Sequence, residues 1–168
     1  IECVGEKPFM MYLSYNAIHT PLEAPEEYLN KFEGHKNQYS KAMTSALDKN
    51  IGKLVTGLKQ MNKFDNTLIF FLADNGGAIN NLDSNLPYKG FKGNKFEGGH
   101  RVPFCVVWGD KLVKDCKFNG LVSSFDIMAT AVQAAGIPSQ KLKNPIDGVD
   151  LLPYLRGEKV GNPHEYKF

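Results

Sequence analysis

The chain has 168 residues, 42% of them apolar, which is enough to bury a domain-sized core and too apolar for a disordered segment. Twenty Lys and Arg against eighteen Asp and Glu leave a net charge of +2, so no overall field directs it to nucleic acid or to an anionic membrane. The longest apolar runs, Thr67 to Ala73 and Phe104 to Trp108, fall far short of the roughly 18–20 residues that cross a bilayer, so no membrane span is expected. Cys3, Cys105 and Cys116 lie too far apart in sequence for a disulfide framework or a thiolate metal site, and read as buried or incidental thiols.

Phe9 to Ser14 is a short aromatic-rich apolar run between Pro8 and Tyr15-Asn16, the pattern of a core strand. The following stretch contains Pro21 and Pro25, which cannot donate to a ladder, so His19 is placed in a loop just past a strand end. From Tyr39 to Lys63 the apolar positions Met43, Leu47, Ile51, Leu54, Val55, Leu58 and Met61 recur at steps of three and four, while Lys41, Asp48, Lys49, Lys53 and Lys59 occupy the other face. This spacing predicts the longest helix. Thr67 to Ala73 follows as an unbroken apolar run typical of a parallel strand covered on both faces, and with the Phe9 strand and the helix it suggests a βαβ unit.

Gly76 to Lys95 is rich in Gly and Asn and lacks apolar periodicity, giving a loop of the length usually seen in binding loops or lids. Phe104 to Trp108 predicts a third strand. Ser124 to Gly136 predicts a helix with a Ser cap, an early Asp and a Gly stop before Pro138, and Asp150 is placed as the cap of a short helix through Leu155. No linker divides the chain, so a single domain is expected over residues 1–168. The fold class that results is α/β, a mostly parallel sheet flanked by helices.

In open α/β sheets ligands bind beyond the carboxyl ends of strands. Asp74-Asn75 stands at such an end, a carboxylate and an amide whose oxygens suit a hard cation such as Ca²⁺ or Mg²⁺; taken by themselves, the two residues read more simply as an Asx turn. His19 has the chemistry to pass a proton to a leaving group or to hold an anion, against the plainer role of a solvated loop histidine. In Lys89 to Pro103 glycines alternate with cations, so backbone can approach a ligand closely and Lys92 can offer a point charge to an oxyanion, although lysine clusters are commonly just solvated surface.

Four blocks in this order resemble the formylglycine-dependent sulfatases of the arylsulfatase type: Lys7-Pro8-Phe9 through His19-Thr20-Pro21, Leu72-Ala73-Asp74-Asn75-Gly76-Gly77, Lys92-Gly93-Asn94-Lys95-Phe96-Glu97-Gly98-Gly99-His100-Arg101-Val102-Pro103, and Ile146-Asp147-Gly148-Val149-Asp150-Leu151-Leu152-Pro153. The resemblance covers nearly the whole chain and implies part of an alkaline phosphatase-like sulfatase domain. It implies Asp74 and Asn75 as Ca²⁺ ligands, Lys92 as a catalytic and substrate-binding lysine on the sulfate, and His19 as the catalytic and substrate-binding histidine near the ester oxygen. Lys89, Glu97 and Arg101 receive no catalytic role.

It further implies a formylglycine nucleophile, a sulfated carbohydrate or other sulfate ester as substrate, and a periplasmic, extracellular or lysosomal location. Neither Cys-x-Pro-Ser-Arg nor Ser-x-Pro-Ser-Arg occurs in the chain, and the family's early aspartate pair is absent. The chain is therefore expected to be a piece lacking an N-terminal nucleophile segment and a C-terminal portion, inactive alone and a poor Ca²⁺ binder, because a hard cation takes six or more oxygens. A phosphoesterase or phosphonate hydrolase of the same superfamily is the alternative, with a non-catalytic glycan-binding remnant as a third possibility.

Overall fold

A computed structural model describes residues 5–165; Cys3 lies outside the described residues. Two compact units emerge, one formed by Ile1–Leu54 with Gly77–Gly99, the other by Val55–Gly76 with His100–Phe168.

The first unit contains α1 (Glu26–Leu29) and most of α2 (Gln38–Gln60). The apolar stripe read from the sequence governs α2: Met43 is buried and Leu47, Ile51, Leu54 and Val55 are half-buried, while Lys41, Asp48, Lys49, Lys53 and Lys59 are exposed. Tertiary burial of such a stripe, rather than helix propensity, holds a helix of this length. Phe9 to Ser14, expected as a strand, is not one. The segment has no ladder partner among the described residues, and Met10 and Tyr12 are 79% and 85% exposed. An apolar run reports a tendency to be buried, but a strand also needs an edge to bond, and the described residues of this unit form no strand to offer one.

The Gly76 to Lys95 loop is tied down by its own amides. Asn85 accepts from the Gly77 N–H at 2.8 Å and donates to the carbonyls of Gly77 and Gly90 at 3.0 and 3.1 Å, and Asp83 accepts from the Ala78 N–H at 3.3 Å. From the N-terminal end of α2, Asn37 donates to the Leu82 carbonyl at 2.7 Å, and Ser40 donates to the Asn81 carbonyl at 3.1 Å. These bonds satisfy backbone that a long loop would otherwise leave to water.

The second unit is built on β1 (Ile69–Leu72) and β2 (Phe104–Val107), both at positions anticipated from their apolar runs. They pair antiparallel, Ile69 opposite Val107 and Leu72 opposite Phe104, a pairing that differs from the parallel strand suggested by the unbroken apolar run of Thr67 to Ala73. The chain leaves β1 and re-enters β2 at the same end, where the Ala73 N–H donates to the Pro103 carbonyl at 3.3 Å; a parallel partner would require the chain to return to the opposite end. Phe71 and Val107 remain exposed, so the sheet is not covered on both faces by the described residues. Phe70 and Phe104 meet edge to face with centroids 6.3 Å apart.

α4 (Asp126–Ala134) stops at Gly136, whose positive φ of 65° lets the Ile137 N–H turn back to the Val132 carbonyl at 3.1 Å. Its start differs from the expected Ser124 cap: the Asp126 carboxylate itself accepts from the Ser123 N–H at 2.7 Å. α5 (Leu152–Leu155) begins as anticipated, with Asp150 accepting from the Leu152 N–H at 3.0 Å. Leu151 and Leu152 are 1% and 4% exposed, and burial of each contributes about 1.5–3 kcal/mol. Cys105 and Cys116 are free and exposed rather than buried. Among the described residues no helix is long and apolar enough to cross a membrane.

Candidate active site

Asp74 and Asn75 leave β1 directly, so the end of the strand sets their backbone. Asp74 is exposed and Asn75 half-buried; the Asn75 amide N–H donates to one Asp74 carboxylate oxygen at 2.9 Å. That bond locks the amide so that its own oxygen and the second carboxylate oxygen have no hydrogen-bond partner among the described residues. An anionic and a neutral oxygen side by side and unspent have the donor chemistry of a hard-cation site. The number of donors is short of a full shell: no group of three or more His, Cys, Asp or Glu able to hold a metal occurs among the described residues.

His19 lies in the loop that both Pro21 and Pro25 keep out of any sheet, and its peptide N–H donates to the Asn16 carbonyl at 2.7 Å. Its ring Nδ1 donates to the Thr20 carbonyl at 2.7 Å. No tautomer could be read from the sequence; a carbonyl can only accept, so this contact puts the proton on Nδ1 and frees Nε2 on an exposed ring. Nε2 is thus the nitrogen available to carry a proton to or from a bound group.

Lys92 is half-buried, and its ammonium has no hydrogen-bond or ion-pair partner among the described residues. Its backbone is fixed, the Lys92 N–H donating to the Gly77 carbonyl at 3.0 Å. The neighbouring cations differ. Lys89 lies over the Phe96 ring, 4.4 Å from its centroid, and Lys95 is exposed. The glycines of the Glu97-Gly98-Gly99 block were read as allowing backbone to approach a ligand; they let the chain approach itself. In α3 (Glu97–His100) a Cβ on Gly98 would collide with the Gly90 carbonyl, and one on Gly99 with the Asn94 carbonyl. Only glycine lets this turn sit against the Gly90 to Asn94 segment that presents Lys92.

The Ile146 to Pro153 block also serves packing. The Val149 N–H donates to the Asp126 carboxylate at 2.9 Å, and the Leu151 N–H donates to the Thr130 hydroxyl at 3.0 Å. The structure thus brings Asp74 and Asn75 into contact and sets His19 and Lys92 on two pinned loops of the first unit. Asn81, Asn85, Asp126 and Thr130 went unrecognised as organising residues; the density of asparagines in the 76–95 loop was the available signal for the first two.

The sulfatase family model matches residues 3–137. The chain belongs to the sulfatase family. It is 37% identical over 168 residues to the uncharacterized sulfatase YdeN of Escherichia coli K12, covering 95% of this chain and 29% of that protein. Human steryl-sulfatase is 32% identical over 171 residues, covering 97% of this chain and 29% of its own length. Among solved structures, Ps i-CgsB in complex with k-i-k-neocarrahexaose superposes with a TM-score of 0.86 at 37% identity, covering 97% of this chain and 36% of that one. This sulfatase chain therefore spans about a third of the length of these relatives, and the alkaline phosphatase-like α/β fold class is theirs and its own.

Proposed function

We propose that the protein carrying this chain hydrolyses sulfate esters of carbohydrates. The observation that carries this reading is the match of the sulfatase family over residues 3–137, within which Asp74-Asn75, His19 and Lys92 each keep groups that the protein does not use. The similarity to Ps i-CgsB in complex with k-i-k-neocarrahexaose and to the N-acetylgalactosamine-6-sulfatase of Canis lupus familiaris supports a sulfated carbohydrate as the substrate class. On this reading residues 1–168 form part of one sulfatase domain, and the protein works outside the cytoplasm, in a periplasmic, extracellular or lysosomal setting.

Asp74 and Asn75 would hold Ca²⁺ together with oxygens from outside this chain. When bound, the cation neutralises sulfate oxygens. The nucleophile is a formylglycine borne outside these 168 residues, in which no Cys/Ser-x-Pro-Ser-Arg segment occurs. Lys92 binds a sulfate oxygen and stabilises the charge that builds as the ester bond breaks, while His19, through Nε2, hands a proton to the departing alcohol oxygen. The Nδ1–H bond to the Thr20 carbonyl holds the ring in place, so that in the doubly protonated imidazole the Nε2 proton is the one given up and the neutral Nδ1–H tautomer is what remains.

Sulfate release from a sulfated oligosaccharide by the protein carrying this chain tests the proposal. Lys92→Ala should lower kcat by about 10²–10³-fold, the range for losing one charge-stabilising donor, and Lys95→Ala should leave it nearly unchanged. Equal losses would refute the Lys92 assignment. Turnover of phosphate monoesters in preference to sulfate esters would move the protein to the phosphoesterase branch, and binding of sulfated sugar without turnover would make it a glycan-binding remnant.

A further inference from the structure

We infer that Asn81 is a positioning residue for His19, a role that rests on the proton-transfer function assigned to His19 above. Asn81 lies in the middle of the 76–95 loop and is far from His19 in sequence, yet its amide N–H donates to the carbonyl of Ile18 at 2.9 Å. Ile18 immediately precedes His19, so this bond fixes the peptide from which the imidazole projects. Asn81 is 6% exposed although it sits in a polar loop, and it is held from behind: buried Ser40, at the start of α2, donates to its carbonyl at 3.1 Å. Its own N–H is bonded to the Ala78 carbonyl at 3.2 Å.

A continuous path of hydrogen bonds therefore runs from α2 through Asn81 to the His19 loop. The same 76–95 loop receives the Lys92 N–H at Gly77, so one segment anchors the backbones of both candidate catalytic residues. A buried amide is costly to desolvate, and here its side-chain oxygen Oδ1 has no hydrogen-bond partner among the described residues. An apolar side chain of the same size would avoid that cost but could not donate to Ile18. The bond to the His19 loop thus accounts for an Asn at a buried loop position.

The test uses the protein carrying this chain and compares kcat on 4-nitrophenyl sulfate, whose leaving group departs as a stable anion, with kcat on phenyl sulfate, whose leaving group gains more from a proton. Asn81→Leu keeps the side-chain size and removes the donor. It should lower kcat on phenyl sulfate by about 10²-fold, the effect of misplacing a reacting group by about an ångström, with far less change on 4-nitrophenyl sulfate and a KM that stays near the wild-type value. His19→Ala should show the same selective loss. A uniform loss on both substrates for Asn81→Leu, alongside a selective loss for His19→Ala, would reduce Asn81 to a purely structural residue and overturn the inference. A uniform loss for His19→Ala would remove the proton-transfer role, and this inference with it. Should Asn81→Leu fail to fold, Ser40→Ala, which loosens Asn81 without removing its donor, should show the same selectivity at smaller amplitude; a Ser40→Ala enzyme without selectivity would count against the inference.

Discussion

Asp126 and Asp74 are both aspartates of the second unit, and they are used in opposite ways. Asp126 is fully buried and both its carboxylate oxygens are engaged: it accepts from the Ser123 N–H at 2.7 Å, from the Val149 N–H at 2.9 Å and from His164 Nε2 at 2.9 Å. It thereby ties the turn before α4, the Ile146 to Pro153 block and the segment at His164 into one cluster. Asp74 is exposed and takes one bond from its neighbour Asn75, which leaves oxygen capacity without a partner among the described residues. A carboxylate whose two oxygens are both held by backbone and imidazole holds the fold together. One whose lone pairs are left open is available to a ligand.

The largest expected effect follows from this contrast. Asp126→Ala strips three donors of their acceptor inside the protein and should lower unfolding stability by about 3–5 kcal/mol, whereas Asp74→Ala should change it by less than about 0.5 kcal/mol. Urea unfolding of the two variants checks this, and similar losses would erase the distinction. Next, Thr130→Val keeps the shape of a fully buried side chain but orphans the Leu151 N–H, and should cost about 1–3 kcal/mol by the same measurement while leaving turnover per folded molecule unchanged.

The smallest effect is expected at the exposed Asp110–Lys114 pair, a counter-case of two charges satisfied only by each other and by water. The hydrogen bond from the Lys114 ammonium holds the Asp110 carboxyl below its usual range, and the same contact raises Lys114. A depressed carboxylate contributes stability only above its unfolded-state pKa, lost as pH falls through the carboxylate range; the raised ammonium contributes until pH rises through its folded-state pKa. Solvent screening makes both contributions slight. Melting curves of Lys114→Ala between weakly acidic and neutral pH should overlay those of the wild type, and a clear drop would show that surface pairing carries more of this fold than the Asp126 cluster implies.

Legibility in the sequence followed physical range. The α2 stripe, the cores of β1 and β2, the Gly136 stop and the Asp150 cap depend on residues within a few positions of each other, and periodicity or cap chemistry discloses them. Strand direction, and the failure of Phe9 to Ser14 to enter a ladder, depend on which edges meet, and apolar runs carry no such information. At the candidate site the residue types at His19, Asp74, Asn75 and Lys92 could be picked out from motifs. What orders them could not: the Thr20 carbonyl on the His19 ring, the Asn85 clamp between Gly77 and Gly90, and the reach of Asn81 to Ile18 are contacts made by unremarkable polar residues.

The central claim, that open oxygens mark Asp74-Asn75 as the acting pair and engaged ones mark Asp126 as structural, is tested most directly by calorimetric titration with Ca²⁺. In the protein carrying this chain, Asp74→Ala should weaken Ca²⁺ binding by more than about 10-fold, exceeding the lower bound seen for outer-shell changes, while Thr130→Val in the Asp126 cluster should titrate like the wild type. Undiminished Ca²⁺ affinity in Asp74→Ala would contradict the account.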